Sequence, residues 1–233
     1  MVSSSALLVH LGPHVRRADP DRYFCTLFAP PAQRAHLLLL YTFNHELARA
    51  REVASELILA LIRLNWWREV VAGEAKLHEI ATPLGAALEA GVFEREDLLA
   101  LIAAREREEV PDASAFYALA RGTAGRLARI AGKVLGADSD AVEDLGTAYG
   151  IAGMLRAAPF VARQGRRWLP ADGTPAADLA AHAKTLLAAR PPRVALAAAL
   201  PAVYARRDLG QPYRPRGLAD KLAVLHAAVM GRI

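Results

Sequence analysis

Apolar residues recur along this chain at spacings of three and four, and only short polar or Pro/Gly stretches interrupt them. A chain so patterned buries its apolar face as packed helices, and no stretch alternates with the period of two that a half-buried strand requires. Alanine and leucine dominate the hydrophobic 54% of the residues, and these side chains, like Arg and Glu, lose little freedom in a helix. Pro30 and Pro31 precede a helix expected over 32–54, with Leu37, Leu40, Tyr41, Phe43 and Leu47 in its apolar part. A second is expected from 56 through LILALIRLNWWREVVAG to Gly73, followed by shorter ones over 78–90 and 94–108. Asp112 or Ser114 caps a helix through FYALARGTAGRLARIAGKVLG, and Ser139 caps one that runs through YGIAGMLRAAPFVARQGRRWLP. Three more are expected over 174–190, 194–207 and 217–230, with turns at RPP (190–192) and GQPYRPRG (210–217). These breaks do not read as domain linkers. The expectation is one all-α domain over 19–233 behind a flexible N-terminus at 1–18.

Charge is unevenly spread. The chain carries a net +5, yet from Phe160 onward 12 Lys or Arg stand against 4 Asp, a surplus of +8 that leaves −3 for the rest. One face is expected to meet something acidic: a membrane surface, a phosphate-bearing ligand or a partner protein, with solvated helix faces taking part of the surplus. Nucleic acid is not expected, because the arginines are scattered among alanines without interleaved aromatics or a nucleic-acid-binding motif. Cys25, the single cysteine, excludes an intrachain disulfide and reads as a buried structural thiol. No uninterrupted apolar run approaches the ~18 residues of a membrane span, and the longest, HLLLLYTF, soon meets Asn44, His45 and Glu46. The first eighteen residues lack an acid and include Arg16 and Arg17, a faint likeness to a transit peptide, but they are read as a frayed terminus. The expected location is cytoplasmic, with a peripheral place at the inner membrane left open by the basic C-terminal third.

Several motifs fail on inspection. HELAR at 45–49 begins like a zinc-protease helix, but its second histidine would stand at Arg49, and one His with one Glu does not hold a zinc. The glycines of GTAGRLARIAG fall within a helix and serve packing, not a phosphate loop. Nucleophile-elbow, Walker and Rossmann patterns are missing. Of the adjacent Trp66 and Trp67, one is expected to pack inward and the other to sit near a groove or the surface. Around Arg156, the small residues Gly150, Gly153, Ala157 and Ala158 either leave space for a ligand or let neighbouring helices approach.

YFCTLFAPPAQRAHLLLLYTFNHELARAREVASE, then IRLNWWREVV, FYALARGTAGRLARIAGKVLG and LGTAYGIAGMLRAAPFVARQGRRWLP, resemble the squalene/phytoene synthases in order and spacing, from about Asp19 to the C-terminus. The resemblance implies an all-α, single-domain isoprenoid-synthase-like helical bundle around a central cavity. Active members condense two prenyl diphosphates head to head, using Mg²⁺ held by two aspartate-rich motifs on facing helices. Hard, oxygen-liganded Mg²⁺ neutralises the leaving diphosphate, and two Asp at i and i+4 project from one helix face to hold it. Carried over without gaps, the first motif's acids fall on Ala48 and Glu52. Anchored on Arg156 and on WLP at 168–170, the second motif's acids fall on Ala157 and Val161, and the helix's usual polar residues become Gly150 and Gly153. Three of the four ligand positions thus lack a carboxylate. Glu46 lies about 240° round the helix from Glu52, while Glu56 is in register with Glu52 close to the helix end. Glu52 and Glu56 offer one weak substitute site, and no resident metal is expected.

FNHELARAREVASE, RLNWW and LRAAPF are more similar to a non-catalytic branch of that family, which includes a mitochondrial respiratory complex I assembly factor. Phe43, Asn44, Glu46, Leu47 and Ala48 carry the first signature of that branch, and Leu155, Arg156, Ala157 and Pro159 the second. This likeness implies a non-enzymatic assembly or lipid- and partner-binding factor without catalytic residues. Its pocket or partner surface is expected at Phe43, Asn44, Glu46, Arg63, Trp67, Tyr149, Gly153, Arg156 and Arg166. The implied partners are a membrane-complex subunit or an isoprenoid- or quinone-like lipid, with peripheral membrane contact through the basic C-terminal third. The alternative is a prenyl-diphosphate-using transferase in which Arg156, Arg163, Arg166 and Arg167 hold phosphate oxygens, with Mg²⁺ as cofactor only in that case. Competing structural roles are an ion pair of Arg156 with Glu46 or Asp144, and one of Arg63 with Glu56.

Overall fold

Regular structure among the described residues is entirely helical, as the apolar spacing predicts. The computed structural model describes residues 4–52, 57–106, 109–163, 165, 167–211 and 214–233, the side chains of 4–6, 51 and 52 excepted. The chain divides into two compact units, Met1–Arg107 and Glu108–Ile233.

In the first unit α1 (Ser4–Ala18) occupies the segment expected to be a flexible terminus. The helix forms because Leu7, Leu11 and Val15, spaced i, i+4, i+8, are buried as one stripe against the third helix. The short α2 (Pro20–Thr26) was also not anticipated. Asp19 caps it, accepting from the Arg22 amide at 3.0 Å and from Arg22 Nη1 at 2.6 Å, and Pro20 begins the first turn. Arg34 closes the connection onward by donating to the carbonyls of Ala29 at 2.8 Å and Leu27 at 2.9 Å. α3 (Pro31–Glu52) is buried at Ala35, Leu37, Leu38, Leu39, Leu40, Tyr41, Phe43, Leu47 and Ala50, apolar nearly all the way round. It accordingly touches every other helix of its unit: α1, α2, α4 (Leu57–Ala72), α5 (Ala81–Glu89) and α6 (Arg95–Glu106). Cys25 is fully buried, as expected. Gly73, at φ +114°, ends α4 in a conformation that side chains disfavour.

The second unit begins with α7 (Ala113–Ala120), capped by Asp112 through the Ala115 amide at 2.8 Å. The long helix expected from there to 136 is interrupted by a π turn, Arg121–Gly125, before α8 (Arg126–Val134). α9 (Asp140–Arg163) follows, with Pro159 inside it, then α10 (Ala176–Leu186). The helix expected over 194–207 is split into a 3₁₀ turn (Arg193–Ala195), α11 (Leu196–Ala199) and α12 (Pro201–Asp208). Pro201 explains the break, because it has no N–H to continue the ladder. α13 (Leu218–Met230) ends at Gly231 in the left-handed region, φ +66°.

α9 is the spine of this unit and packs against the π turn, α7, α8, α10, α11 and α12. Its contact with the π turn leaves no room for a Cβ. One on Gly146 would fall 2.3 Å from Ala128 Cβ and 2.8 Å from the Ala124 carbonyl oxygen. On Gly150 it would fall 2.6 Å from Ala124 Cβ. Gly150 therefore serves helix packing, whereas a Cβ on Gly153 would meet nothing within 4 Å. Gly146→Ala should lower the stability of the chain to urea by ~1–3 kcal/mol through overpacking. Gly153→Ala should be neutral or stabilise by up to about 1 kcal/mol through helix propensity. Equal effects of the two substitutions would contradict this assignment.

Candidate functional site

The residues singled out on α3 and α4 divide into core and rim. Phe43 is fully buried and meets the edge of Trp67, itself buried, at a centroid distance of 5.3 Å. Trp67 in turn touches half-buried Trp66 at 4.8 Å and His78 at 5.6 Å, which is the inward and outward split expected of the two tryptophans. Phe43 and Trp67 hold α3 to α4. Asn44 Oδ1 accepts from Arg105 Nη2 at 3.3 Å, joining α3 to α6. Glu46 pairs along its own helix with Arg49 at 3.4 Å, Ala48 is half-buried and Arg63 is exposed. The Glu52 side chain, Glu56 and Arg166 lie outside the described residues, and with them the expected Arg63–Glu56 pair.

On α9, Ala157 is half-buried, Val161 buried, Gly153 exposed, and Tyr149 half-buried against the apolar core of the unit. Positions 48, 157 and 161 offer no oxygen donor, so the side chains there do not fit Mg²⁺, which is held by carboxylates and other oxygens. An apolar cavity of about 410 Å³ opens beside α9, lined by Leu155, Ala158, Pro159 and Ala162 with Leu169 and Ala180. At 100° per residue this is a different face of the helix from Ala157 and Val161.

Arg156 does not take Asp144, one of the partners weighed for it, as an ion-pair partner. Asp144 takes Arg121 at 2.8 Å, and Arg156 lies 3.8 Å from Asp208. Asp208 is the centre of a charge cluster that nothing in the spacing signalled. It is 3% exposed and accepts a two-pronged bond from Arg216, Nη1 to Oδ1 at 2.6 Å and Nη2 to Oδ2 at 2.8 Å, plus Arg207 Nη2 at 2.9 Å. Arg207 Nη1 reaches on to Asp220 at 2.6 Å, and Asp220 also accepts from the Gly217 amide at 2.6 Å, capping α13. Burial pushes the Asp220 carboxyl up, but the Gly217 N–H and the Arg207 charge outweigh it and hold the group below the ordinary carboxylate value. Two of the twelve cations of the C-terminal third, Arg207 and Arg216, are held here by two of its four Asp, so the surplus of +8 lies elsewhere in that third. The available signal was compositional: 4 Asp among 12 cations leaves each buried acid surrounded.

The opposite side of α13 is uncovered. Leu218, Leu222, Leu225 and Val229 form one stripe and are 74%, 53%, 44% and 76% exposed, with Lys221 and Arg232 exposed beside it. No helix among the described residues is long and apolar enough to cross a membrane.

Residues 15–206 match the family model for squalene/phytoene synthase. The chain belongs to the squalene/phytoene synthase family. Over 172 residues it is similar to NADH dehydrogenase (ubiquinone) complex I assembly factor 6 from Homo sapiens (27% identical) and from Mus musculus (28%). That alignment takes in 68% of this chain and 51% of either relative, so the chain spans about half the length of the curated relatives it matches. Among solved structures, a dehydrosqualene synthase in complex with ligand superposes with a TM-score of 0.76 at 12% identity, covering 97% of this chain and 96% of that one. Squalene synthase HpnC from Alicyclobacillus acidocaldarius superposes at 0.69 and 17% identity, covering 91% and 94%. These two establish the isoprenoid-synthase fold.

Removing the centre of the charge cluster should be costly, because Arg207 and Arg216 would keep their charges in a largely buried setting. Asp208→Ala is expected to destabilise the chain by about 3–5 kcal/mol in denaturant titration. A loss under 1 kcal/mol would mean the cluster is a solvated surface network.

Proposed function

We propose that this chain is a non-catalytic member of its family that serves the assembly of a membrane respiratory complex, by binding a subunit of that complex or an isoprenoid- or quinone-like lipid. The observation that carries this proposal is the absence of donor atoms at Ala48, Ala157 and Val161, three of the four positions that the family resemblance assigns to Mg²⁺ ligands. The name borne by the curated relatives, complex I assembly factor 6, supports the same direction. The transferase alternative needs arginines to hold diphosphate without metal. Of its candidates Arg156 already faces Asp208, and Arg163 stacks over Phe160 at 5.2 Å. The cavity beside Pro159 offers an apolar wall to a lipid tail, and among the described residues Asp208 is the one polar side chain that lines it.

Peripheral membrane contact runs through α13 in this proposal. Its apolar stripe with Lys221 and Arg232 alongside matches an anionic bilayer surface, apolar toward the acyl boundary and cationic toward the headgroups. The experiment is deletion of the gene in the encoding organism, followed by complementation and native-gel quantification of assembled NADH dehydrogenase. Deletion should deplete the mature complex, and the wild-type chain should restore it and sediment with membranes. A Leu222→Glu, Val229→Glu variant should stay in the soluble fraction and restore less. An unchanged complex after deletion would overturn the assembly proposal, and full membrane sedimentation of the double variant would overturn the role of α13.

A further inference from the structure

His14, His45 and Glu46 form a cluster within the first unit that the proposed function does not use. α1 supplies His14, and α3 supplies His45 and Glu46. One ring nitrogen of each histidine and one carboxylate oxygen all lie within 4.8 Å of one another. The two imidazoles meet edge to face, with centroids 5.3 Å apart and planes inclined at 67°. His14 Nε2 is buried and has no hydrogen-bond partner among the described residues. A ring nitrogen withdrawn from water normally finds a partner, because leaving it unpaired forfeits its solvation. Here the unpaired nitrogen belongs to a side chain that sits beside two others of metal-ligating type.

We propose that His14 Nε2, a ring nitrogen of His45 and the Glu46 carboxylate bind a divalent transition-metal ion of the zinc class. Two imidazoles and one carboxylate form a donor set that suits Zn²⁺, whereas Mg²⁺ takes oxygen ligands in an octahedron. Zinc bonds of about 2.0–2.2 Å place tetrahedral donors roughly 3.3–3.5 Å apart, so the ion draws the three side chains inward by about an ångström. Glu46 is able to turn, since its contact with Arg49 is a long 3.4 Å. Three protein ligands leave a fourth position for water or an outside donor. The site also completes what HELAR lacks: the histidine missing at Arg49 is supplied by His14, 31 residues upstream of His45. α1 presents it because Leu11 and Val15 on either side are buried on α3. Bound metal would clip α1 to α3.

The test uses the full chain, stripped with chelator and then titrated with Zn²⁺ by calorimetry and with Co²⁺ by visible absorption. Expected are one ion per chain, cobalt d–d bands of a tetrahedral N/O site, and a Tm raised by Zn²⁺. His14→Gln and His45→Gln should each weaken binding by more than about 1,000-fold, beyond the ~10–100-fold that outer-shell losses reach. His10→Gln, at the separate His10–Glu79 pair, should leave it unchanged. Circular dichroism verifies folding, and Glu46→Gln replaces any histidine variant that fails to fold. No retained ion in the wild-type chain, or wild-type affinity in the His14 and His45 variants, overturns the proposal.

Discussion

Gly125, Gly146 and Gly150 let α9 lie close against the π turn at Arg121–Gly125, where only the small side chains of Ala124, Ala128 and Thr147 come between the backbones. Much of the second unit takes its geometry from that contact. Positions 146, 150, 153, 157 and 161 follow one another at spacings of three and four, so they share one helix face. At its start this face is closed by backbone, with an added Cβ 2.8 Å from the Ala124 carbonyl oxygen at Gly146. At Gly153 it is open, and further along, where the family resemblance expects metal-binding acids, stand half-buried Ala157 and buried Val161. One stripe of small residues therefore has two physical origins. Gly146 and Gly150 are small because Ala124 and Ala128 touch them, a reason that does not hold at Gly153.

Charge follows a similar division between what is spent on structure and what remains at the surface. Asp208 and Asp220 draw Arg207, Arg216 and Arg156 into one network that ties the ends of α9, α12 and α13 together. Burying acids of this kind is unfavourable unless each finds well-placed donors, and the two-pronged bond from Arg216 provides them. What remains on the uncovered side of α13 is an apolar stripe with a few cations beside it. The same helix thus has an inner side fixed at its start by Asp220 and packed through Val224 and Ala227, and an exposed apolar outer one.

The helical class was legible because the period of three to four runs through nearly every segment, and the ends at Gly73 and before Asp140 followed ordinary stop and cap chemistry. Less legible were features that depend on a distant partner. α1 is a helix because α3 buries Leu7, Leu11 and Val15, and the i, i+4, i+8 spacing of those three is the one local sign of it. The π turn inside the expected 112–136 helix answers to the approach of α9, not to local propensity. Phe43 and Trp67 were candidates for a pocket wall and are core aromatics. Arg156 found Asp208, 52 positions on, where the sequence alone offered Asp144 and Glu46 as partners. His14 joined His45 and Glu46 for the same reason: two helices brought together what no linear motif contains.

If the chain is non-catalytic, as proposed, the family's fold remains here without its prenyl-transfer machinery. Incubation of the purified chain with farnesyl or geranylgeranyl diphosphate and Mg²⁺, with released diphosphate measured over time, tests it most directly. Release no faster than in protein-free buffer is expected. Enzyme-dependent release that requires Mg²⁺ would contradict it.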